Sequence, residues 1–373
     1  MASRLPISQE RNAESIPVLR VSLLEWYDRN RRDLPWRRTR DPYAIWVSEI
    51  MLQQTRVAAV IDRYNSFMAR FPTVKALAEA SEQDVLAQWS GLGYYRRARM
   101  LQKAARFVCA NHKGELPTTA AELRNLAGIG AYTAAAIASI AYGEHVAVVD
   151  GNVERVLSRL RGWESEDSKE LAVTRRRVDT LATELVDAGR PGDFNQAVME
   201  LGAIVCTPRN PQCLACPWAR ECRTLGEHKT PQKPGMTKRE VGYALCEREG
   251  SEPGSRSLEV LFQQRAESDT VMPGMWELPA LRDAIVPESE LRITVRHAIM
   301  QVNYLVRVRS VSPEDLVAVA HLNGNSRWIA LDKAAEMALT GLTRKVLSRV
   351  GLFKKSPPIP IAGIAAEPTA DVL

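Results

Sequence analysis

Residues 126–133 read Leu126-Ala127-Gly128-Ile129-Gly130-Ala131-Tyr132-Thr133, and the apolar run Val148-Val149-Asp150-Gly151-Asn152 follows shortly after. Two glycines one residue apart, between helical segments, allow a tight turn whose amides point outward at the start of the next helix. Such a turn is a nest for an anion, and a DNA phosphate is a natural one. Taken alone, a Gly-x-Gly turn is weak evidence and is more often a plain connection between helices. The apolar run ending in the carboxylate of Asp150 strengthens the first reading.

Working outward, apolar residues recur at three- and four-residue spacing in Val18–Trp26, Tyr43–Ile61, Val85–Trp89 and Ala98–Val108. Thr133–Ala141, Val153–Leu160, Val178–Val186 and Gln196–Val205 continue the pattern, so residues 1–230 read as helical. Asp41-Pro42 before Tyr43, and Thr118 before Glu122, are helix-start signals. Gly226–Thr237 is polar and rich in Pro and Lys, and reads as a linker. Beyond it Val241–Cys246, Leu258–Gln263, Ile293–His297 and Val302–Val308 alternate as strands do, and Asp332–Ala338 and Leu342–Val350 return to helix. The expected architecture is an all-α portion followed by an α+β domain at 238–352, with a disordered tail.

Composition narrows the function classes. The 373 residues are 45% hydrophobic and 25% charged with a formal charge of +6, ordinary for a globular protein and unlike a disordered polyampholyte. Residues 1–240 carry 35 basic and 28 acidic side chains, and residues 241–373 carry 15 and 16, so the basic character lies in the helical portion. The first twenty residues are broken by charges and hold no export signal, and Ala134–Tyr142 is too short to cross a bilayer. A cytoplasmic protein without membrane association is expected (nucleoid-associated in a bacterium). Six cysteines in a reducing compartment do not form a disulfide framework.

Four of those cysteines, Cys206, Cys213, Cys216 and Cys222, follow C-x6-C-x2-C-x5-C. Four thiolates at short spacing close around one metal centre, and both tetrahedral zinc and a [4Fe–4S] cluster fit. Cys109 and Cys246 stand alone as ordinary thiols. The second notable carboxylate is Glu49, in Tyr43-Ala-Ile-Trp-Val-Ser-Glu49-Ile-Met-Leu52. An acid among such neighbours is desolvated, which raises its pKa and favours the proton-donating form. The other reading, a solvent-facing Glu beside Ser48 and Gln53, has equal weight on the pattern alone.

These features together with Leu34-Pro35-Trp36-Arg37, Trp46-Val-Ser-Glu-Ile-Met-Leu-Gln-Gln-Thr55 and Gly91-Leu-Gly-Tyr94-Tyr95 resemble the helix-hairpin-helix DNA glycosylases, most closely the MutY-type adenine DNA glycosylases. The resemblance is dense over about residues 20–225 and looser over 238–350. It implies a cluster domain from residues 1–30 and 145–225, a six-helix barrel domain with the hairpin at 31–144, a linker at 226–237, and a Nudix-like domain at 238–352 that inspects the opposite base. It also implies one structural [4Fe–4S] cluster per chain, held by the four cysteines. The implied activity is excision of adenine mispaired with 8-oxoguanine or guanine in double-stranded DNA, by a monomer. A mismatch thymine glycosylase and a non-catalytic mismatch binder are the alternatives.

The resemblance carries roles residue by residue. Glu49 is the general acid, Asp150 faces the sugar cation, and Tyr132 and Asn152 orient the reacting groups. Arg32, Arg37 and Gln196 line the adenine pocket, Thr55 closes the matched motif beside it, and Gly128 and Gly130 form the phosphate-binding turn. Gln54 and Tyr94 match positions that pry the base stack, and Arg96, Arg97, Arg99, Lys103 and Arg106 make a phosphate-contacting stripe. Tyr132 stands where related endonuclease-type enzymes carry a Schiff-base lysine, and a phenol forms no imine, so the expected enzyme releases the base without an obligatory strand cut. In the C-terminal domain Pro273-Gly-Met-Trp-Glu-Leu-Pro279 is the clearest match, but no acidic metal-binding helix follows it, and no nucleotide hydrolysis is expected. The family's opposite-base loop follows H-x-F-S-H, whereas this chain has His297-Ala298-Ile299-Met300-Gln301. Ile299 keeps a wedge and Gln301 a polar group, so weakened discrimination between 8-oxoguanine and guanine is expected.

Overall fold

The structure is a computed structural model that describes residues 7–164, 168–228, 235–250, 257–299 and 301–353; the expected disordered tail lies outside these residues. Two units, Met1–Gly235 and Met236–Leu373, each close on their own core. The first is helical: α1 (Ile7–Asn30), α2 (Pro42–Leu52), α3 (Val57–Arg70), α4 (Val74–Glu79), α5 (Glu82–Gln88), α6 (Arg96–His112), α7 (Ala120–Leu123), α8 (Ala131–Tyr142), α9 (Gly151–Arg161), α10 (Ser168–Leu185) and α11 (Pro191–Ile204).

Capping chemistry sets the helix ends that matter most. Asp41 accepts a hydrogen bond from Tyr43 N at 3.1 Å, with Pro42 in the first turn, and so starts α2 as the sequence predicts. The start of α7 falls one residue later than expected. Thr119, rather than Thr118, accepts from Glu122 N and donates to Glu122 Oε2, a reciprocal pairing that its neighbour is not placed to make. α2 is buried on every side from Tyr43 to Met51, so it is a central helix rather than an amphipathic one. The alanines of α8 are buried against it, and their small size lets neighbouring helices approach closely.

Behind α8, Leu19, Leu23 and Tyr27 of α1 share a core with Val153, Val156 and Leu157 of α9, Leu185 of α10, Leu201 of α11 and Trp218. The segment between α8 and α9 is tied into this core by Asn195, buried on α11. Its Nδ2 donates to Ser139 Oγ at 3.0 Å and Val146 O at 2.9 Å, and its Oδ1 accepts from Val148 N at 3.1 Å. Asp150 lies two residues beyond that anchor.

The second unit holds two sheets. Strands β1 (Thr237–Leu245), β2 (Glu247–Glu249), β3 (Leu258–Gln264), β4 (Trp276–Glu277), β5 (Ala280–Leu281), β6 (Leu291–Ile299), β7 (Val302–Ser310), β8 (Ala320–His321) and β9 (Ser326–Ala330) follow one another. One sheet runs β6-β7-β1-β5-β8, with β1 and β7 parallel; the other runs β2-β3-β4, with β9 on the free edge of β3. Met275, Trp276 and Leu278 of the Pro273–Pro279 motif are buried, while Glu277 accepts two bonds from Arg265 at 2.9 Å. Among the described residues the helices Leu316–Val319, Leu331–Ala335 and Gly341–Arg349 complete the α/β pattern. Ile299 and Gln301 sit at the β6–β7 turn, Ile299 half-buried and Gln301 exposed; Met300 lies outside the described residues.

Replacing Asn195 by Ala strands Val148 N–H and Val146 C=O in the interior, a loss of about 1–3 kcal/mol. A thermal melt should fall by about 2–10 °C; an unchanged melt contradicts the anchoring role.

Candidate active site

Glu49 lies on the third turn of α2 with 6% of its surface exposed, which settles its two sequence readings in favour of the desolvated one. Burial pushes its carboxyl up to about 7. Tyr132 Oη donates to Glu49 Oε2 at 3.0 Å and opposes that rise, while the nearby charge of Asp150 adds to it. At neutral pH this carboxyl therefore holds a proton for much of the time. Tyr132 enters from the first turn of α8, immediately after the Gly-x-Gly turn, and its hydroxyl also contacts Met199 Sδ at 3.3 Å. Burial, followed by the charge of Glu49, drives its own pKa far above the ordinary tyrosine value, so the phenol stays neutral.

Asp150 is the N-cap of α9. Its Oδ1 accepts from Asn152 N at 2.8 Å and Val153 N at 2.7 Å, and its Oδ2 accepts from Asn152 Nδ2 at 3.1 Å. Three N–H donors fix the carboxyl in one orientation. Asn152 is fixed in turn, since its Oδ1 accepts from Arg155 Nη2 at 2.9 Å. Gly202 on α11 makes room for this turn, because a Cβ there would sit 2.8 Å from the Cβ of Asn152.

One cavity of about 210 Å³ collects Glu49, Tyr132, Asp150, Asn152, Arg32, Arg37, Gln196 and Thr55 from five parts of the chain. Among the described residues no lysine lines it. Sequence reasoning missed its most heavily bonded member, Glu200 on α11, which is 1% exposed. Arg32 and Arg37 both reach it, with Nη2 to Oε2 distances of 2.7 and 2.9 Å. Burial alone would raise the Glu200 pKa, but the hydrogen bonds from Arg32 and Arg37 hold it down at about 2. The two arginines are thus charged walls pinned to a carboxylate rather than free arms. A lone acid in the apolar stretch Phe194–Val205 is the signal that could have found Glu200, the same signal that marked Glu49.

Gln54, Tyr94 and Gly128 line a separate groove with Arg96 and Met100. Gln54 and Tyr94 are exposed, and both have left-handed backbones, with φ of +54° and +48°. Gly128 (φ +80°) packs so closely on α6 that a Cβ would come within 2.7 Å of the Cβ of Met100. Gly130 is the N-cap of α8, makes no side-chain cap bond and has open space where a Cβ would be.

The expected basic stripe needs correction. Arg97 is turned inward onto backbone carbonyls, Arg99 Nε pairs with Glu82 at 2.6 Å, and Arg106 donates to Ala78 O and Ala80 O at the end of α4. Helix-end carbonyls take the guanidiniums of Arg97 and Arg106, and a carboxylate takes that of Arg99. Arg96 and Lys103 are therefore exposed with no bond of this kind among the described residues, and Arg106 is exposed but tied to α4.

Cys206, Cys213, Cys216 and Cys222 face one small cavity beside Arg159, whose Nη1 lies 3.5 Å from Cys206 Sγ. Burial raises the Cys216 thiol to about 11. Among the described residues no three His, Cys, Asp or Glu side chains are placed to hold a single metal ion. Among them, too, no helix is long and apolar enough to cross a membrane.

Comparison with known proteins places this geometry. Residues 47–178 match the HhH-GPD superfamily base excision DNA repair protein family. The adenine DNA glycosylase of Homo sapiens is 36% identical over 411 aligned positions, covering 90% of this chain and 74% of the human protein. That of Rattus norvegicus is 49% identical over 232 positions, covering 59% of this chain and 45% of the rat protein. Among solved structures, a thermostable thymine-DNA glycosylase superposes with a TM-score of 0.53 at 30% identity, over 57% of this chain and 98% of its own. Identity of that extent along most of the human protein shows that this chain belongs to the adenine DNA glycosylase family, within the HhH-GPD superfamily.

Proposed function

We propose that this protein excises adenine mispaired with 8-oxoguanine or guanine in double-stranded DNA by hydrolysing the N-glycosidic bond. The observation that carries the reading is the pair of unlike carboxyl groups on one cavity: Glu49 buried and proton-holding, Asp150 fixed by three N–H donors. Glu49 donates its proton to the extruded base, which turns adenine into a better leaving group. As the bond breaks, positive charge develops on the sugar, and the Asp150 carboxylate faces it. Ionised Glu49 then accepts a proton from the attacking water. Tyr132 holds the Glu49 carboxyl and Asn152 holds Asp150. The absence of a lysine from the described lining supports base release without an imine.

Arg32, Arg37 and Gln196 line the base pocket in this proposal. The Gly128–Gly130 turn with the uncapped start of α8 takes a backbone phosphate, and Gln54 and Tyr94 enter the stack. The division of the helical unit into a cluster domain and a barrel domain, and the opposite-base role of the Nudix-like domain, belong to the same proposal. The likeness to a thymine-DNA glycosylase at 30% identity keeps thymine release as the second reading.

The cysteines are read as the ligands of a [4Fe–4S] cluster, the centre that the family resemblance implies, and the four thiols lining one small cavity are a donor set that fits it. Cys206, Cys213, Cys216 and Cys222 would hold the cluster, which when bound clamps the loop after α11. The purified protein should show broad visible absorption with about four irons per chain, and Cys206→Ser should lose both; colourless protein with one zinc overturns the assignment.

Single-turnover rates on A·8-oxoguanine, A·G and T·G duplexes test the function. Adenine release should fall about tenfold per pH unit above about 7, as Glu49 gives up its proton. Glu49→Gln should lose about 10²–10⁴-fold. Because the β6–β7 turn carries Ile299 and Gln301 in place of Phe and His, rates on A·8-oxoguanine and A·G should lie closer together than in relatives with the F-S-H loop. Release of thymine alone overturns the adenine reading. A Glu49→Gln protein as fast as its parent overturns the mechanism, and mismatch binding with no base release by either protein leaves a binding module.

A further inference from the structure

Arg97, in the first turn of α6, directs its guanidinium back beneath two loops. Nη1 donates to Ile50 O at 2.7 Å, Met51 O at 3.0 Å and Gln53 O at 2.5 Å. Nη2 donates to Thr55 Oγ1 at 3.1 Å and to Leu92 O and Gly93 O, both at 3.2 Å. The same group lies over the rings of Trp89 and Tyr94, at 5.6 and 5.5 Å from their centroids. Its partners are carbonyls, a hydroxyl and ring faces, and it forms no salt bridge among the described residues. It also seals the C-terminal end of α2, the helix that carries Glu49.

Those two loops carry Gln54 and Tyr94, the exposed side chains with left-handed backbones. The loops are about forty residues apart in sequence, and both line the groove that ends at Gly128 of the hairpin. Left-handed backbone at a bulky residue persists only where its surroundings hold it. Here one planar fork spans both loops, with donors aimed at each.

We infer that Arg97 is a positioning residue that locks the Gln54 and Tyr94 loops into one rigid unit, so that both side chains enter the base stack together and the target base leaves in a single step. The inference rests on the base-excision reading above. A lysine keeps the charge but offers one compact ammonium, which cannot serve six acceptors spread over the end of α2 and two loops. Arg97→Lys should therefore impair extrusion while leaving the proton chemistry of Glu49 untouched.

The test uses 2-aminopurine in place of the target adenine, a base whose fluorescence rises on unstacking, in a Glu49→Gln background that prevents excision. Glu49→Gln should show the rise on binding. Glu49→Gln with Arg97→Lys should bind within about threefold and lose most of the rise. With Glu49 intact, Arg97→Lys should release adenine at least about tenfold more slowly per active site, with the same pH midpoint as the parent. Parent-like fluorescence and parent-like rates per active site overturn the inference, as does a shifted pH midpoint, which would place the defect at Glu49. A parent that releases no adenine overturns the functional reading instead. Hydrogen exchange on the parent needs no variant: the amides of Gln53–Thr55 and Leu92–Tyr94 should open with one shared free energy, and two separate values contradict the lock.

Discussion

Removing one carboxyl group from water is the constraint on which the rest of this structure depends. Glu49 keeps its proton near neutrality because α2 is buried on all sides, and a helix of that kind must be covered by others. α8 covers it with alanines and brings Tyr132, the one hydrogen-bond partner of the Glu49 carboxyl among the described residues. α9 begins at Asp150, whose donors come from its own first turn and so do not compete for Glu49. One acid is deprived of solvent while its neighbour is supplied with N–H groups, and the proposed division of the chemistry between them rests on that asymmetry.

Arginine plays a different part from the one charge counting implies. Residues 1–240 carry a surplus of seven basic side chains, which invites a picture of a wholly basic DNA-facing surface. Several of those guanidiniums are committed within the protein. Arg32 and Arg37 pin Glu200, Arg97 gathers two loops, and Arg155 joins Asn152 Oδ1 to Gly202 O and Cys206 O. Planar, multidentate donors suit such tasks, because a single group satisfies several helix-end carbonyls at once. The exposed remainder, rather than the total, is available to phosphates.

Much of the site was legible in the sequence where the signal was local. The hairpin glycines, the Asp150 cap and the acid within an apolar helix are each set by a few adjacent residues, and the structure brings Glu49, Tyr132, Asp150 and Asn152 onto one cavity. The features that escaped depend on partners far apart in the chain. Glu200 meets arginines more than 160 positions away, and Arg97 meets carbonyls more than 40 positions away. Periodicity cannot distinguish an inward arginine on a polar helix face from an outward one. α1 also begins earlier than the pattern at Val18–Trp26 indicates, since its first turns are polar and carry no apolar stripe.

Glu49 holds a proton near neutral pH while Asp150 serves as a hydrogen-bond acceptor. Infrared difference spectra of the parent against Glu49→Gln, recorded from about pH 5 to pH 9, report that proton directly. The expected result is a protonated-carboxyl band that belongs to Glu49 and titrates away near pH 7. A Glu49 carboxyl already ionised at pH 5 would contradict it.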